Sequence, residues 1–243
     1  ISLAGKRMLG KGQLMMLEMI SQCNWTRPLY VATTVGADNY MNLGDNFVQE
    51  GLAYRITPFT TKNPGVKSFD TEKAYNNLMY RYKWGGLEKP GLYLDETVMR
   101  MCYTHRHLFA MLALELINEG QKDKAIKVLD KSLKVIPEYN VPMTFISGGS
   151  ELARAYALAG QKAKAAKLLN AVWKNEEQYA LWYLSLEGTR FTQAQSDFLR
   201  QVVMMKNTAE LTLLVDEKLA SKRIQRLNAL YAAYRNKGGA ELN

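Results

Sequence analysis

The stretch LALELINEGQKDKAIKVLDKSLKVIPE, residues 112–138, returns in altered form as ELARAYALAGQKAKAAKLLNAVWKNEE, residues 151–177. At an offset of 40 residues, Gly120 falls on Gly160, Ala125 on Ala165, Leu129 on Leu169 and Ser132 on Val172. Apolar residues recur every three or four positions on both sides of each glycine, the spacing of amphipathic helices. Each unit therefore reads as helix, glycine turn, helix. Glycine ends a helix in left-handed backbone at no Cβ cost. The alanine five residues later lets two helices approach closely, and Pro137 closes the first unit.

A turn glycine, an alanine, a small residue and a closing proline in this order resemble the tetratricopeptide repeat. The loop YNVPMTFISGGS, residues 139–150, stretches its usual period. The second unit departs from the pattern, with Val172 at a small-residue position and no closing proline. The resemblance implies helix pairs at about 95–136 and 145–176 that bury apolar faces on their neighbours and present a surface.

The rest of the C-terminal part is helical by periodicity as well. Asp70 or Thr71 caps a helix that lines up Tyr75, Leu78, Met79 and Tyr82. KWGGLEKPG, residues 83–91, is a turn-rich break. Asp95 then caps a helix with Val98, Cys102, His105, Phe109, Leu112 and Leu116 on one stripe. EEQYALWYLSLEG reads as a separate apolar helix, and Thr192 as the cap of the next. TAELTLLVDEKLASKRIQRLNALYAAYR reads as one long helix packed through Leu213, Leu214, Leu219, Ile224, Leu227, Leu230 and Tyr231. Residues 237–243 form a flexible tail.

The first 60 residues differ. ISLA is a strand candidate, and KGQLMMLEMISQC places Met16, Met19, Ile20 and Cys23 on one helix face. RPLYVATTV is apolar or small on both faces, which suits a strand covered on both sides. ADNYMNLGDNFVQEG is long enough for a crossover helix, and LAYRITPF is a strand ended by Pro58. The expected fold is a small parallel βαβαβ sheet over 1–60, followed over 61–236 by an all-α, tetratricopeptide-like array, mostly α overall. Gly5, Gly10 and Gly12 fit no phosphate-loop spacing.

Composition narrows the function. The chain has 243 residues, 47% hydrophobic and 23% charged, average for a globular protein. It has no apolar run long enough to span a bilayer, and no basic-then-apolar stretch of the signal-peptide kind is read in it. It starts at ISLAG without an initiator Met, so a piece of a longer protein is expected. Cys23 and Cys102 are too few for a disulfide scaffold or a cysteine zinc cluster. The net charge of +9 is uneven: residues 121–174 carry ten Lys/Arg against four Asp/Glu, and 218–237 carry six Lys/Arg and no acid. A basic half fits a solvated helix face or an acidic partner such as anionic lipid headgroups. No RNA-binding signature accompanies it, which argues against nucleic acid.

No catalytic centre is legible. His105 and His107 lie two apart on a helix and diverge. No nucleophile elbow occurs. Asp70 and Asp95 serve as caps, and Glu50 is expected to be buried beside Arg27 or Arg55. No metal or cofactor is expected. Tyr82, Trp84 and Tyr93 stand in an aromatic stretch between 75 and 93, and they are the tentative binding residues for a sugar or another planar ligand.

Taken in order, NWTRPLYVATTV, QEGLAYRITP, YNNLMYRYKWGGLEKPGLYLDETVMR and LINEGQKDKAIKVLDKSLKVIP resemble the C-terminal soluble region of a family of large bacterial multi-pass membrane proteins. That family is itself similar to the protein O-mannosyltransferase class of membrane glycosyltransferases. The resemblance implies a preceding bundle of membrane helices, a periplasmic location for this region, and a catalytic acid in the membrane portion. The residues that carry the pattern are Trp25, Arg27, Pro28, Tyr30, Glu50, Gly51, Tyr54, Arg55, Trp84, Gly85, Gly86, Tyr93, Asp95 and Arg100. The expectation is a non-catalytic scaffold that binds a protein acceptor or packs on its own membrane portion, with a sugar-binding domain as the alternative. Arg27 is expected to pair with Glu50 and fix a helix-to-strand corner, with Pro28 opening the strand and Trp25 sealing the helix end.

Overall fold

Gly120 and Gly160 end two helices in the same way. Their φ angles are 78° and 84°. In each, the next residue closes the helix: Gln121 N–H donates to Leu116 O at 2.7 Å and Gln161 N–H to Tyr156 O at 2.8 Å. This is the glycine C-cap that the repeat requires. The computed structural model describes residues 8–240, so the expected strand ISLA and the last three residues of the expected tail lie outside the described residues. The chain forms two compact units that divide between Tyr82 and Lys83.

The second unit holds six helices among the described residues: α3 (Glu96–Asn118), α4 (Lys122–Val135), α5 (Gly149–Leu158), α6 (Lys162–Ser185), α7 (Gly188–Thr212) and α8 (Glu217–Asn236). Asp95 caps α3 by accepting from Val98 N–H at 2.8 Å. Ala125 and Ala165 are fully buried at the pair interfaces, as are Leu129 and Val172. The last three helices share a second core of Trp173, Phe191, Phe198, Met205, Leu227, Leu230 and Tyr234.

Three helix boundaries differ from the periodicity. EEQYALWYLSLEG is the continuation of α6 to Ser185, since no breaker precedes it. Thr192 is not a cap: α7 already starts at Gly188, and the Thr192 hydroxyl donates to Gly188 O at 3.3 Å inside the helix. The expected long C-terminal helix breaks at 213–216. There Asp216 is extended and caps α8 by accepting from Leu219 N–H at 3.0 Å. Leu213 and Leu214 are consequently exposed rather than packed.

The first unit holds α1 (Lys11–Cys23), β1 (Tyr30–Ala32), β2 (Phe47–Gln49), β3 (Ala53–Ile56) and α2 (Thr71–Asn76), which runs on into a π-helical turn at Asn77–Arg81. The sheet order is β1-β3-β2 and both pairings are antiparallel, which corrects the expected parallel sheet. Gly51, at φ 122°, and Leu52 return the chain at once, and a return this short leaves no room for the crossover a parallel pair needs. The segment expected to form a crossover helix is two short 3₁₀ turns, Ala37–Asn39 and Gly44–Asn46, with Met41 and Asn42 in left-handed backbone between them. Turn-forming Asn, Asp and Gly residues outweigh its length. Leu43, Phe47 and Ile56 form the core, covered by Met16 and Ile20 of α1 and by Tyr40 and Tyr54.

The unit extends past the expected boundary at residue 60, because the segment after it is tied back to the hairpin. Asn77 Nδ2 donates to Glu50 O at 2.7 Å, and the Tyr82 hydroxyl accepts from Leu52 N–H at 3.1 Å.

Candidate functional site

The antiparallel register puts Tyr30 opposite Arg55 and Val48 opposite Arg55 on the other side. Period two then sets Glu50, two residues beyond Val48, on that same face. The Glu50 carboxylate, 4% exposed as a residue, is surrounded by donors. Arg55 Nε pairs with Oε1, Lys73 Nζ lies 2.9 Å from Oε1, and the Tyr30 hydroxyl donates to Oε2 at 2.9 Å. Burial pushes this carboxyl up, but the three hydrogen bonds outweigh it and hold it below the usual carboxylate range. A general base needs a pKa near the working pH and a free lone pair aimed at substrate. Glu50 has neither property. It is an anchor joining the hairpin to the turn of α2.

Arg27 is not its partner. Arg27 is exposed and makes no ion pair among the described residues, so the expected Arg27–Glu50 corner is overturned. Arg55, the alternative acid partner, takes that role. Geometry explains the exchange: β1 starts at Tyr30, so Arg27 lies before the register begins, whereas Arg55 sits inside it. The corner itself is made by Asn24 and Trp25, both left-handed, at φ 44° and 57°. Trp25 is half exposed and donates its N–H to Cys23 Sγ at 3.4 Å, and Pro28 precedes the strand by two residues.

The three aromatic binding candidates have three different settings. Tyr82 clamps the hairpin: a Cβ at Gly51 would stand 2.5 Å from its hydroxyl. Trp84 is half buried, its ring 5.0 Å from Phe109 and 5.6 Å from His105 of α3. Tyr93 is 92% exposed. Gly85 and Gly86 follow Trp84 in left-handed backbone, and the loop they shape is held by Asn140, whose Nδ2 donates to Leu87 O at 2.8 Å and Lys89 O at 2.6 Å. A groove of about 630 Å³ opens beside Trp84, Gly85 and Gly86, with Glu88 and, from α4, Asp130 and Lys134 on its walls. Asp95 is the cap of α3, and Arg100 is an exposed partner of Glu96 at 2.5 Å.

His105 and His107 diverge on α3. Burial lowers His105, which faces Trp84. The His107 ring shares a hydrogen bond with Ile146 O at 3.2 Å, and its Nδ1 stands 3.8 Å from Glu151 of α5. Cys23 and Cys102 are both free thiols. Among the described residues no group of three His, Cys, Asp or Glu could hold a metal ion.

Two buried polar networks escaped the sequence reading. Arg106, fully buried, donates to Ile136 O, Val141 O, Pro142 O and both oxygens of Ser147, and burial lowers it to about 10. It organises the whole loop between the two repeats. Glu176, 1% exposed, accepts from Thr208 at 2.8 Å, and burial pushes it up to about 8. Nearby, Arg223 donates to Thr212 at 2.5 Å and Asn170 at 2.6 Å, with its guanidinium 5.1 Å from the Trp173 ring. One signal was present: Glu176 stands on the apolar stripe Leu169, Val172, Ala180 of α6, where an acid must be buried.

Residues 1–74 match the family model described as TMEM260-associated domain 2. It is a domain of a membrane-protein family. The match contains Tyr30, Glu50, Arg55 and Lys73, so the donor-ringed carboxylate falls wholly inside it. No curated protein and no solved structure matches the chain. Among the described residues no helix is long and apolar enough to cross a membrane.

Proposed function

We propose that this chain is a non-catalytic interaction module of a membrane glycosyltransferase-like protein, on the periplasmic side, and that it holds a protein segment on the face of its first helices. The observation that carries the reading is the pairing itself. α3 and α5 are the first helices of two matching pairs, and His107 and Glu151 meet on their solvent side. On the same side of these helices, Met111 stands one turn beyond His107, and Arg154 and Leu158 one and two turns beyond Glu151, all three exposed. Apolar side chains set among mixed charges suit an extended or helical peptide from an acceptor or from the protein's own membrane portion. The sequence resemblance and the domain match support the membrane setting.

A photo-crosslinking amino acid at Met111 or Leu158 of the chain, expressed in bacterial cells, should join it to one defined polypeptide. The same group at Lys127 should not, and Arg154→Glu should weaken the adduct. Equal adducts at all three positions, or transfer of sugar by the chain from a lipid-linked donor to an acceptor peptide, would overturn the reading.

The groove beside Trp84 favours a second reading, a sugar site. Trp84 supplies an aromatic edge, and Asp130, Glu88 and Lys134 supply hydrogen-bonding groups. Binding on a glycan array that is lost on Lys134→Ala and on Trp84→Ala would support it, and an array without signal would remove it.

A further inference from the structure

The second helix of each pair carries the charge of the molecule. α4 holds five lysines and two aspartates, α6 four lysines and two glutamates, and α8 five Lys or Arg and one glutamate, together +9. The first helices α3, α5 and α7 together carry only +1. Cross-links set the basic helices side by side. Lys164 of α6 lies 2.5 Å from Asp130 of α4, and Arg226 of α8 lies 2.5 Å from Glu177 of α6.

On α6, Lys167, Lys174 and Leu181 are exposed and follow at two-turn intervals. On α4, Lys127 and Lys134 repeat that spacing, and on α8 Lys218 and Lys222 are exposed. A merely solvated face accounts for the lysines. It does not account for the end of the α6 stripe, where Leu181 is 45% and Trp182 54% exposed. Lysines that meet anionic headgroups, with Trp and Leu at the headgroup boundary, are the chemistry of an interfacial helix. Nucleic acid asks for a different arrangement, in which a basic groove is interleaved with aromatics that stack on bases. Here the aromatic group stands at one end of a broad face. The match of residues 1–74 to a domain of a membrane-protein family supports a bilayer as the partner.

We propose that the face of α4, α6 and α8 rests on an anionic phospholipid bilayer, with Lys127, Lys134, Lys167 and Lys174 over the headgroups and Leu181 and Trp182 entering the interface. The proposal uses the second helices and is independent of the partner assigned to the first, so each can fail alone.

The test is flotation of the chain with vesicles of phosphatidylcholine alone and of phosphatidylcholine with phosphatidylglycerol in a two-to-one ratio. The chain should float only with the anionic vesicles, and less as salt rises, because the attraction is screened. Reversing Lys127, Lys134, Lys167 and Lys174 to Glu should weaken partitioning by about a hundredfold or more, while the circular dichroism stays unchanged. Trp182→Phe should abolish a blue shift in tryptophan emission on vesicle binding. Equal binding to both vesicle types, full binding by the four-fold reversal variant, an unshifted emission, or tighter binding to duplex DNA than to the anionic vesicles would each overturn the proposal.

Discussion

Lys73, in the first turn of α2, places its ammonium 2.9 Å from the carboxylate of Glu50, which sits at the turn of the hairpin 23 residues earlier. With Arg55 and Tyr30 it closes a ring of donors round one buried acid. The ring ties β1, β3 and α2 together through one ionised side chain.

Glu50→Gln should therefore destabilise the first unit by about 1–3 kcal/mol, since three half-exposed donors lose a buried, charged acceptor. The sign with pH follows from the lowered carboxyl. The folded pKa lies below the ordinary value, so the contribution is present above the ordinary carboxylate range and is lost as pH falls through the folded value. Urea denaturation of wild type and variant should converge at low pH, and Arg27→Ala should leave both curves where they are.

Glu176 has the opposite sign. Its pKa is raised from 4.5 to about 8 by burial, so the folded chain keeps the proton that the unfolded chain has released. Stability should fall as pH rises between those two values and level off above the higher one. Glu176→Gln, which mimics the protonated acid, should flatten that slope and raise stability at pH 8 by about 1–3 kcal/mol. Thermal melts at acidic and basic pH check it, and an unchanged slope would exclude Glu176 as its source.

Arg106→Met should remove about 3–5 kcal/mol, because the carbonyls of residues 136, 141, 142 and 147 lose their shared donor inside the protein. Hydrogen exchange should rise first over 136–148. Equal protection of that loop in wild type and variant would show that the loop holds its shape without Arg106.

Gly149→Ala probes the close approach of α5 to its surroundings. An added Cβ would stand 2.8 Å from Val172 Cγ2 and 2.9 Å from Thr144 O. The expected loss is about 1–3 kcal/mol. Val172→Ala in the same chain should recover part of it, since half of the clash is with Val172. Chemical denaturation of the single and double variants reads the coupling.

The repeat was legible because its signals are local. Gly120 and Gly160 are demanded by backbone conformation at helix ends, and Ala125 and Ala165 by helix contact within one pair. The caps Asp70 and Asp95 act within three residues, so they too could be read directly. The donor ring was half legible: Glu50 could be recognised as an acid that needs a cation, but not which cation. Arg27 and Arg55 were equally plausible along the chain, and only strand register separated them.

What the sequence determined alone is therefore the short-range part: the helix pairs, their glycine turns, the caps at Asp70 and Asp95 and the uneven charge. Tertiary structure decided the rest. The direction of the sheet depends on a turn of two residues that outweighs fifteen residues of apparent crossover pattern. Arg106, Glu176 and Arg223 are ordinary charged residues of amphipathic helices until neighbouring elements close over them. The basic face exists only because α4, α6 and α8 are brought side by side, since each helix alone shows no more than a solvated stripe. Local signals are set by backbone geometry over one or two turns, whereas burial, pairing and a shared surface arise only from contacts between distant residues.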